Sequence, residues 1–270
     1  MIVRVLAWLV SRTPLRIAWA VGWALAWTWW LVLPVRKATA VENLRGAFPQ
    51  LAPGPVLRRM MAGLVLGYFE LLREIRAPGS VSVEYSGQRA LLEHLETGRG
   101  AFFLAAHYGS WDLLGPMTNR DLSLPATTIV KIPSQPDIAA LMERIRLAMT
   151  MELLPPKGSM PRIYEQLGEG RLLVFLLDQR HNKGIPSEFF GRPAWTSPAL
   201  AAAAARTGCP VFPLHYYRTG IGRHAVAIHP PLALTGEIGE DTRRFQCFYE
   251  TRIRERPHNW LWLHNRWKKP

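Results

Sequence analysis

AFFLAAHYGSWDLLG, residues 101–115, is an apolar run that stops on a histidine and restarts as a helix-like pattern. Ala101–Ala106 form a short all-apolar stretch, the signature of a strand buried on both faces of a sheet. His107 follows directly. In an open α/β sheet, ligands bind at the carboxyl ends of strands, so the position is suggestive. Asp112 stands five residues on. One continuous helix would set the two side chains about 140° apart, at roughly 100° per residue, so they cannot pair on it. They can pair if HYGSW is a loop that curls back and Asp112 opens the next helix. Gly109 permits such a turn, and Ser110 has the chemistry of an N-cap. Asp112 would then accept the Nδ1–H of His107 and leave Nε2 free to take a proton, the logic of an oriented general base. The chain has no nucleophile elbow of the GxSxG type, which favours direct attack by an acceptor hydroxyl. Spacing alone fits a plain surface turn as well.

Outward from this stretch, strand-like and helix-like segments alternate. VSVEY at 81–85 alternates as a strand does, and LLEHLETGRG reads as a helix closed by Gly98 and Gly100. A helix begins near Asp112. Strands are predicted at about 126–132, 152–155, 172–177, 210–217 and 224–229, with helices at about 136–149, 160–168, 199–206 and 240–255. Upstream, 37–50 reads as a short helix. Pro55–Arg76 is a longer one, with apolar Val56, Met60, Leu64, Tyr68, Leu71, Leu72 and Ile75 at helical spacing. The prediction is an α/β fold with a mostly parallel or mixed central sheet flanked by helices.

Between Arg16 and Arg36 lie 19 residues without a charge, near the minimum for a membrane-crossing helix. Trp19, Trp23, Trp27 and Trp30 share one helical face, and Trp favours the membrane–water interface. Arg4, Arg12 and Arg16 precede the segment, and Arg36 and Lys37 follow it. Cations on both flanks also suit a helix lying in the interface against anionic lipid. AlaThrAla at 38–40 resembles a signal-peptide cleavage site, but the apolar stretch is longer and richer in Trp than a usual h-region. A membrane-anchoring helix is therefore expected.

The 270 residues carry a formal charge of +13, which suits nucleic acid, an anionic membrane or an acidic protein. No nucleic-acid motif is present, and the N-terminus favours the membrane. Cys209 and Cys247 are far apart and form no disulfide framework. His181, His215, His229 and His264 lack metal-ligand spacing, so neither a metal nor another cofactor is expected.

HYGSWDLLG, DQRHNKG, EFFGRPAWTSPALAAAAARTGCPVFP and WLWLHNRWK, in this order, resemble the bacterial late lipid A acyltransferases. These are the lauroyl/myristoyl transferase branch of the lysophospholipid acyltransferase superfamily. The resemblance runs from about Val41 to Lys268. It implies an N-terminal anchor at 1–36 and an acyltransferase domain at 37–270, on the cytoplasmic face of a bacterial inner membrane. It also implies an acyl carrier protein thioester as donor, and a lipid A precursor or related glycolipid as acceptor. By position, His107 resembles the family's base and Asp112 its partner, where the family more often has Glu. Lys131, Arg146, Asp178, Gln179, Phe190, Gly191 and Thr196 match substrate-site positions, whereas Thr150 and Ala199 stand where Gly is more usual. Attack on a thioester builds an oxyanion, which Lys131 or Arg146 would stabilise. One basic face would suit acidic carrier protein, anionic inner-membrane lipid and precursor phosphates together.

Overall fold

The computed structural model describes residues 2–124, 126–130, 135–136, 139–141, 145 and 152–269. Four helices open the chain: α1 (Ile2–Arg12), α2 (Leu15–Leu31), α3 (Lys37–Ala47) and α4 (Pro53–Arg76). Strands and helices then alternate: β1 (Ser82–Ser86), α5 (Arg89–Leu95), β2 (Ala101–Ala105), α6 (Leu114–Leu122), β3 (Ala126–Ile129), β4 (Glu152–Leu154), α7 (Met160–Gly168) and β5 (Leu172–Leu176). A hairpin of β6 (Ile185–Phe189) and β7 (Arg192–Thr196) interrupts the pattern. It is followed by α8 (Ala199–Thr207), β8 (Val211–Gly220), β9 (Arg223–Ile228) and α9 (Ile238–Glu255).

Seven strands form the main sheet in the order β1-β9-β8-β2-β5-β3-β4. Every neighbouring pair is parallel except β8–β9. The expected α/β class with a mostly parallel sheet is therefore observed. β2 and β5 lie in the middle, and their alternate residues feed opposite cores. Phe102, Leu104, Leu173 and Phe175 join the core under α3, α7, α8 and α9. Phe103, Ala105, Leu172 and Val174 join the one under α5 and α6. This explains why both strands read as unbroken apolar runs.

Among the described residues no helix is long and apolar enough to cross a membrane. The uncharged stretch yields α2, 17 residues long, which packs along α4. Its buried face is Ala18, Gly22, Ala26 and Trp29. Small residues allow the two backbones to approach: a Cβ on Gly22 would stand 2.9 Å from the Ala62 carbonyl oxygen. The other side of α1 and α2 stays open. Trp8, Ile17, Leu25 and Trp27 are each about half exposed, at 55, 54, 47 and 45 %, so both helices present uncovered apolar surface. Cations rim it. Arg12 lies over the Trp8 ring at 4.2 Å, Arg58 over Trp27 at 3.9 Å and Lys37 over Trp30 at 5.0 Å.

Candidate active site

Strand register builds the site. β2 and β5 are parallel neighbours, with Ala105 opposite Leu176. Each chain continues for one apolar residue, Ala106 or Leu177, and then presents a polar one, His107 or Asp178. His107 Nδ1 lies 2.9 Å from Asp178 Oδ1. Asp178 Oδ2 accepts the His107 backbone N–H at 3.1 Å and the Trp260 indole N–H at 2.8 Å. Since an ionised carboxylate only accepts, Nδ1 carries the proton and Nε2 is left as the free lone pair.

The electrostatics agree. Burial alone would raise the Asp178 carboxyl, but the His107 ring and these hydrogen bonds outweigh it and hold Asp178 below the ordinary range. Burial likewise would lower His107. The charge and hydrogen bond of Asp178 reverse this and raise it, with a smaller push from Asp112. The His107 side chain keeps 22 % of its surface open while Asp178 keeps 2 %, so solvent reaches the imidazole but not its partner.

Pairing of His107 with Asp112 is the sequence expectation that geometry corrects. Gly109 turns the chain at φ 65°, but residues Trp111–Leu113 then form a 3₁₀ turn. Its Trp111 ring packs edge-on against His107 at 5.2 Å. The imidazole edge that Asp112 would have taken already belongs to Asp178. Asp112 keeps an exposed face while protein crowds its carboxyl. That crowding raises its pKa, and the field of His107 pulls the other way. Ser110 precedes the turn as expected, yet its hydroxyl caps nothing and accepts from Arg218 Nη2 at 2.9 Å.

The other expected site residues fall in several places. Lys131 and Arg146 lie outside the described residues. The Gln179 carbonyl accepts from Arg266 Nη1 at 3.3 Å. Phe190 and Gly191 are the two-residue turn of the β6–β7 hairpin, at φ 55° and 67°, as in a type I′ turn. Phe190 packs on Phe48 and Trp262, so its contacts are those of a core residue rather than of a groove wall. Thr196 is buried, and its Oγ1 accepts from Arg266 Nη2 at 2.6 Å. Arg266 is itself fully buried, and burial lowers its guanidinium to about 10 against the opposing pull of Asp178. It ties the hairpin to the Asp178 loop.

Sequence reasoning missed Trp260. The ending WLWLHNRW was legible as a motif, but nothing local says that its first indole reaches a carboxylate 82 residues away. The same segment straps the His107 loop. Leu261 N–H donates to the His107 carbonyl at 3.1 Å, and Gly109 N–H donates to the Asn259 carbonyl at 2.8 Å. His215 Nδ1 and His229 Nε2 also meet, at 3.0 Å across β8 and β9. Among the described residues no group of three or more His, Cys, Asp or Glu side chains could hold a metal.

A cleft of about 240 Å³ opens against Trp111, between α4, the end of β8 and the strap. Gly63 and Leu64 of α4 and Trp19 of α2 are among its lining residues. Leu64 and Trp111 also line the small hollow that leads to Tyr68 and Asp112. The oriented His107 ring is therefore joined to the cleft through Trp111, and Trp19 brings α2 to the same cleft.

The profile of the bacterial lipid A biosynthesis acyltransferases matches residues 1–269. The chain belongs to that family. It is also similar to a phosphatidylinositol mannoside acyltransferase of Mycolicibacterium smegmatis, 26 % identical over 180 residues. The match covers 64 % of this chain and 58 % of that relative's length. The family's description and that relative's name both denote acyltransferases.

Proposed function

We propose that this acyltransferase moves a fatty acyl chain from an acyl carrier protein thioester to a hydroxyl of a lipid A precursor. His107 is its general base and Asp178 the carboxylate that orients it. The observation that carries this reading is the His107 Nδ1–Asp178 contact, 2.9 Å long, beneath a ring whose other nitrogen is open. In the reaction, Nε2 takes the acceptor O–H proton as that oxygen bonds to the thioester carbon. The C–S bond then breaks, and the departing sulfur takes the proton from His107. Asp112, at the mouth of the site, adds negative field to His107.

The exposed apolar face of α1 and α2, with its rim of Arg12, Arg58 and Lys37, suits a helix pair lying in the interface of an anionic inner membrane. The net charge of +13 suits an acidic carrier protein as well. A second acceptor, a phosphorylated mannoside glycolipid, is favoured by the similarity to the mycobacterial acyltransferase.

The deciding experiment is transfer of labelled acyl chains from carrier protein to each acceptor, in mixed micelles with the purified chain. His107→Ala should abolish transfer while the circular dichroism spectrum is retained. Near wild-type turnover by that variant would reject the base. Fatty acid released equally fast without any acceptor would make the protein a thioesterase instead.

A further inference from the structure

The cleft beside Trp111 carries groups that proton abstraction does not use. Its inner wall is Arg218, near the end of β8. Glu70, fully buried on α4, grips the guanidinium with Oε2 at 2.5 Å from Nη2 and Oε1 at 3.3 Å from Nε. Ser110 Oγ accepts from Nη2 at 2.9 Å, and the Gly63 carbonyl accepts from Nη1 at 3.3 Å. These contacts occupy four of the five guanidinium N–H groups. The fifth, on Nη1, has no protein partner among the described residues. Glu70 cannot swing away, because it also accepts from the Gly222 backbone N–H and contacts His224 Nε2. Arg218 is thus a cation fixed at a cleft wall, with one donor to spare.

A second cation, Arg59, also lines the cleft from α4, and it is exposed. Between Arg59 and Arg256 stands His258, whose imidazole is lowered to about 4 by burial first and by those two cations next. It is a neutral hydrogen-bonding wall. Among the described residues lining the cleft none is acidic, since Glu70 is closed off behind Arg218. Two guanidinium groups and an imidazole around a space of about 240 Å³ make a recognition site for phosphate oxygens. Trp19 also lines the cleft, on the helix whose Ile17 and Leu25 are exposed.

We propose that Arg59 and Arg218 form a phosphate subsite for the acceptor lipid, seating a headgroup phosphate in the cleft against Trp111, whose ring packs on His107. The proposal rests on the acyltransferase reading above for its word "acceptor". The phosphate chemistry stands on the cleft alone.

Binding tests it without turnover. The full chain in detergent micelles is titrated calorimetrically with two short-chain lipids of equal acyl length, a phosphatidylinositol and a neutral galactosyl diacylglycerol. The phospholipid should bind about tenfold tighter, the size of one charge-assisted contact. Arg59→Ala and Arg218→Gln should each erase most of that preference and leave the neutral lipid's affinity as it was, while Arg59→Lys retains it. Arg218→Gln strips Glu70 of its partner and can unfold the chain, so exposed Arg59→Ala decides the matter. A wild-type chain without the preference, or an Arg59→Ala chain that keeps it in full, overturns the proposal. A third titration uses 4′-phosphopantetheine. If that compound, and not the phospholipid, loses affinity in Arg59→Ala, the subsite belongs to the donor and the acceptor assignment falls. Absence of acyl transfer in the wild type would instead sink the enzymatic reading and leave these affinities unexplained by it.

Discussion

Trp260 and His107 bind the same carboxylate: Asp178 Oδ2 holds the indole N–H at 2.8 Å while Oδ1 faces the imidazole at 2.9 Å. The base is therefore positioned by a carboxylate that is itself positioned, and the consequences can be separated by substitution.

Asp178→Asn tests the pair. The amide cannot hold the imidazole tautomer, so kcat should fall roughly 10²–10⁴-fold. Asp178 raises the His107 pKa, and the base works only when unprotonated. The acidic limb of the pH–rate profile therefore starts at higher pH in the wild type and should move to lower pH in the variant. Asp112→Asn should shift the limb the same way by less, because its push on His107 is the weaker one. Equal shifts in the two variants would remove the distinction between them.

Trp260→Phe keeps an aromatic ring and deletes the indole donor. One charge-assisted hydrogen bond is lost from a buried acceptor, at a cost of about 1–3 kcal/mol. Rate and thermal midpoint should both drop, and the acidic limb should shift as Asp178 becomes harder to ionise. A fall in midpoint with an unchanged pH profile would mean that Trp260 is packing only.

Glu70→Gln breaks a buried pair and should destabilise the fold by about 3–5 kcal/mol at neutral pH. Burial alone would raise the Glu70 pKa, but His224 and Arg218 outweigh it and lower it. Its stabilisation is therefore present above the unfolded carboxylate pKa and is lost as pH falls through the depressed folded value. Chemical denaturation from pH 7 downward should show wild type and variant converging only at strongly acid pH. Convergence already near pH 6 would contradict the pairing.

Gly22→Val tests the seat of α2. The new side chain begins 2.9 Å from the Ala62 carbonyl oxygen and must push the helices apart, at about 1–3 kcal/mol. Binding to anionic vesicles should weaken along with the thermal midpoint, while Ala20→Val, on an exposed position, should change neither.

The strands were largely legible because a central parallel strand is apolar on both faces and so unbroken in sequence. AFFLAAH and LLVFLLD, at 101–107 and 172–178, are the same sentence twice: six apolar residues, then a polar one. That shared form was the available signal for the His107–Asp178 pair. It went unused because local spacing offered Asp112, and nothing within a strand names its neighbour in the sheet. The β6–β7 hairpin was missed for a different reason. Its turn puts Phe190, not Asn or Asp, at φ 55°, and the backbone there is held by a hydrogen bond from its N–H to Glu250 Oε1 at 2.8 Å. On α2 the uncharged stretch forms a helix, as its pattern predicts. Ala18, Gly22 and Ala26 were legible only as part of an uncharged stretch, whereas their smallness serves the contact with α4.

The strap from Asn259 to Leu261 has a consequence for the order in which the molecule comes into being. The contacts that seat α2 on α4 join segments close in sequence, and they are complete once Arg76 has been made. Those around His107 wait for residues about 150 positions further on, since Tyr108 bridges to Trp260. Early contacts of short loop length form fast and late ones slowly. A nascent or C-terminally clipped chain thus has its exposed apolar helices in place before the surroundings of His107 are assembled.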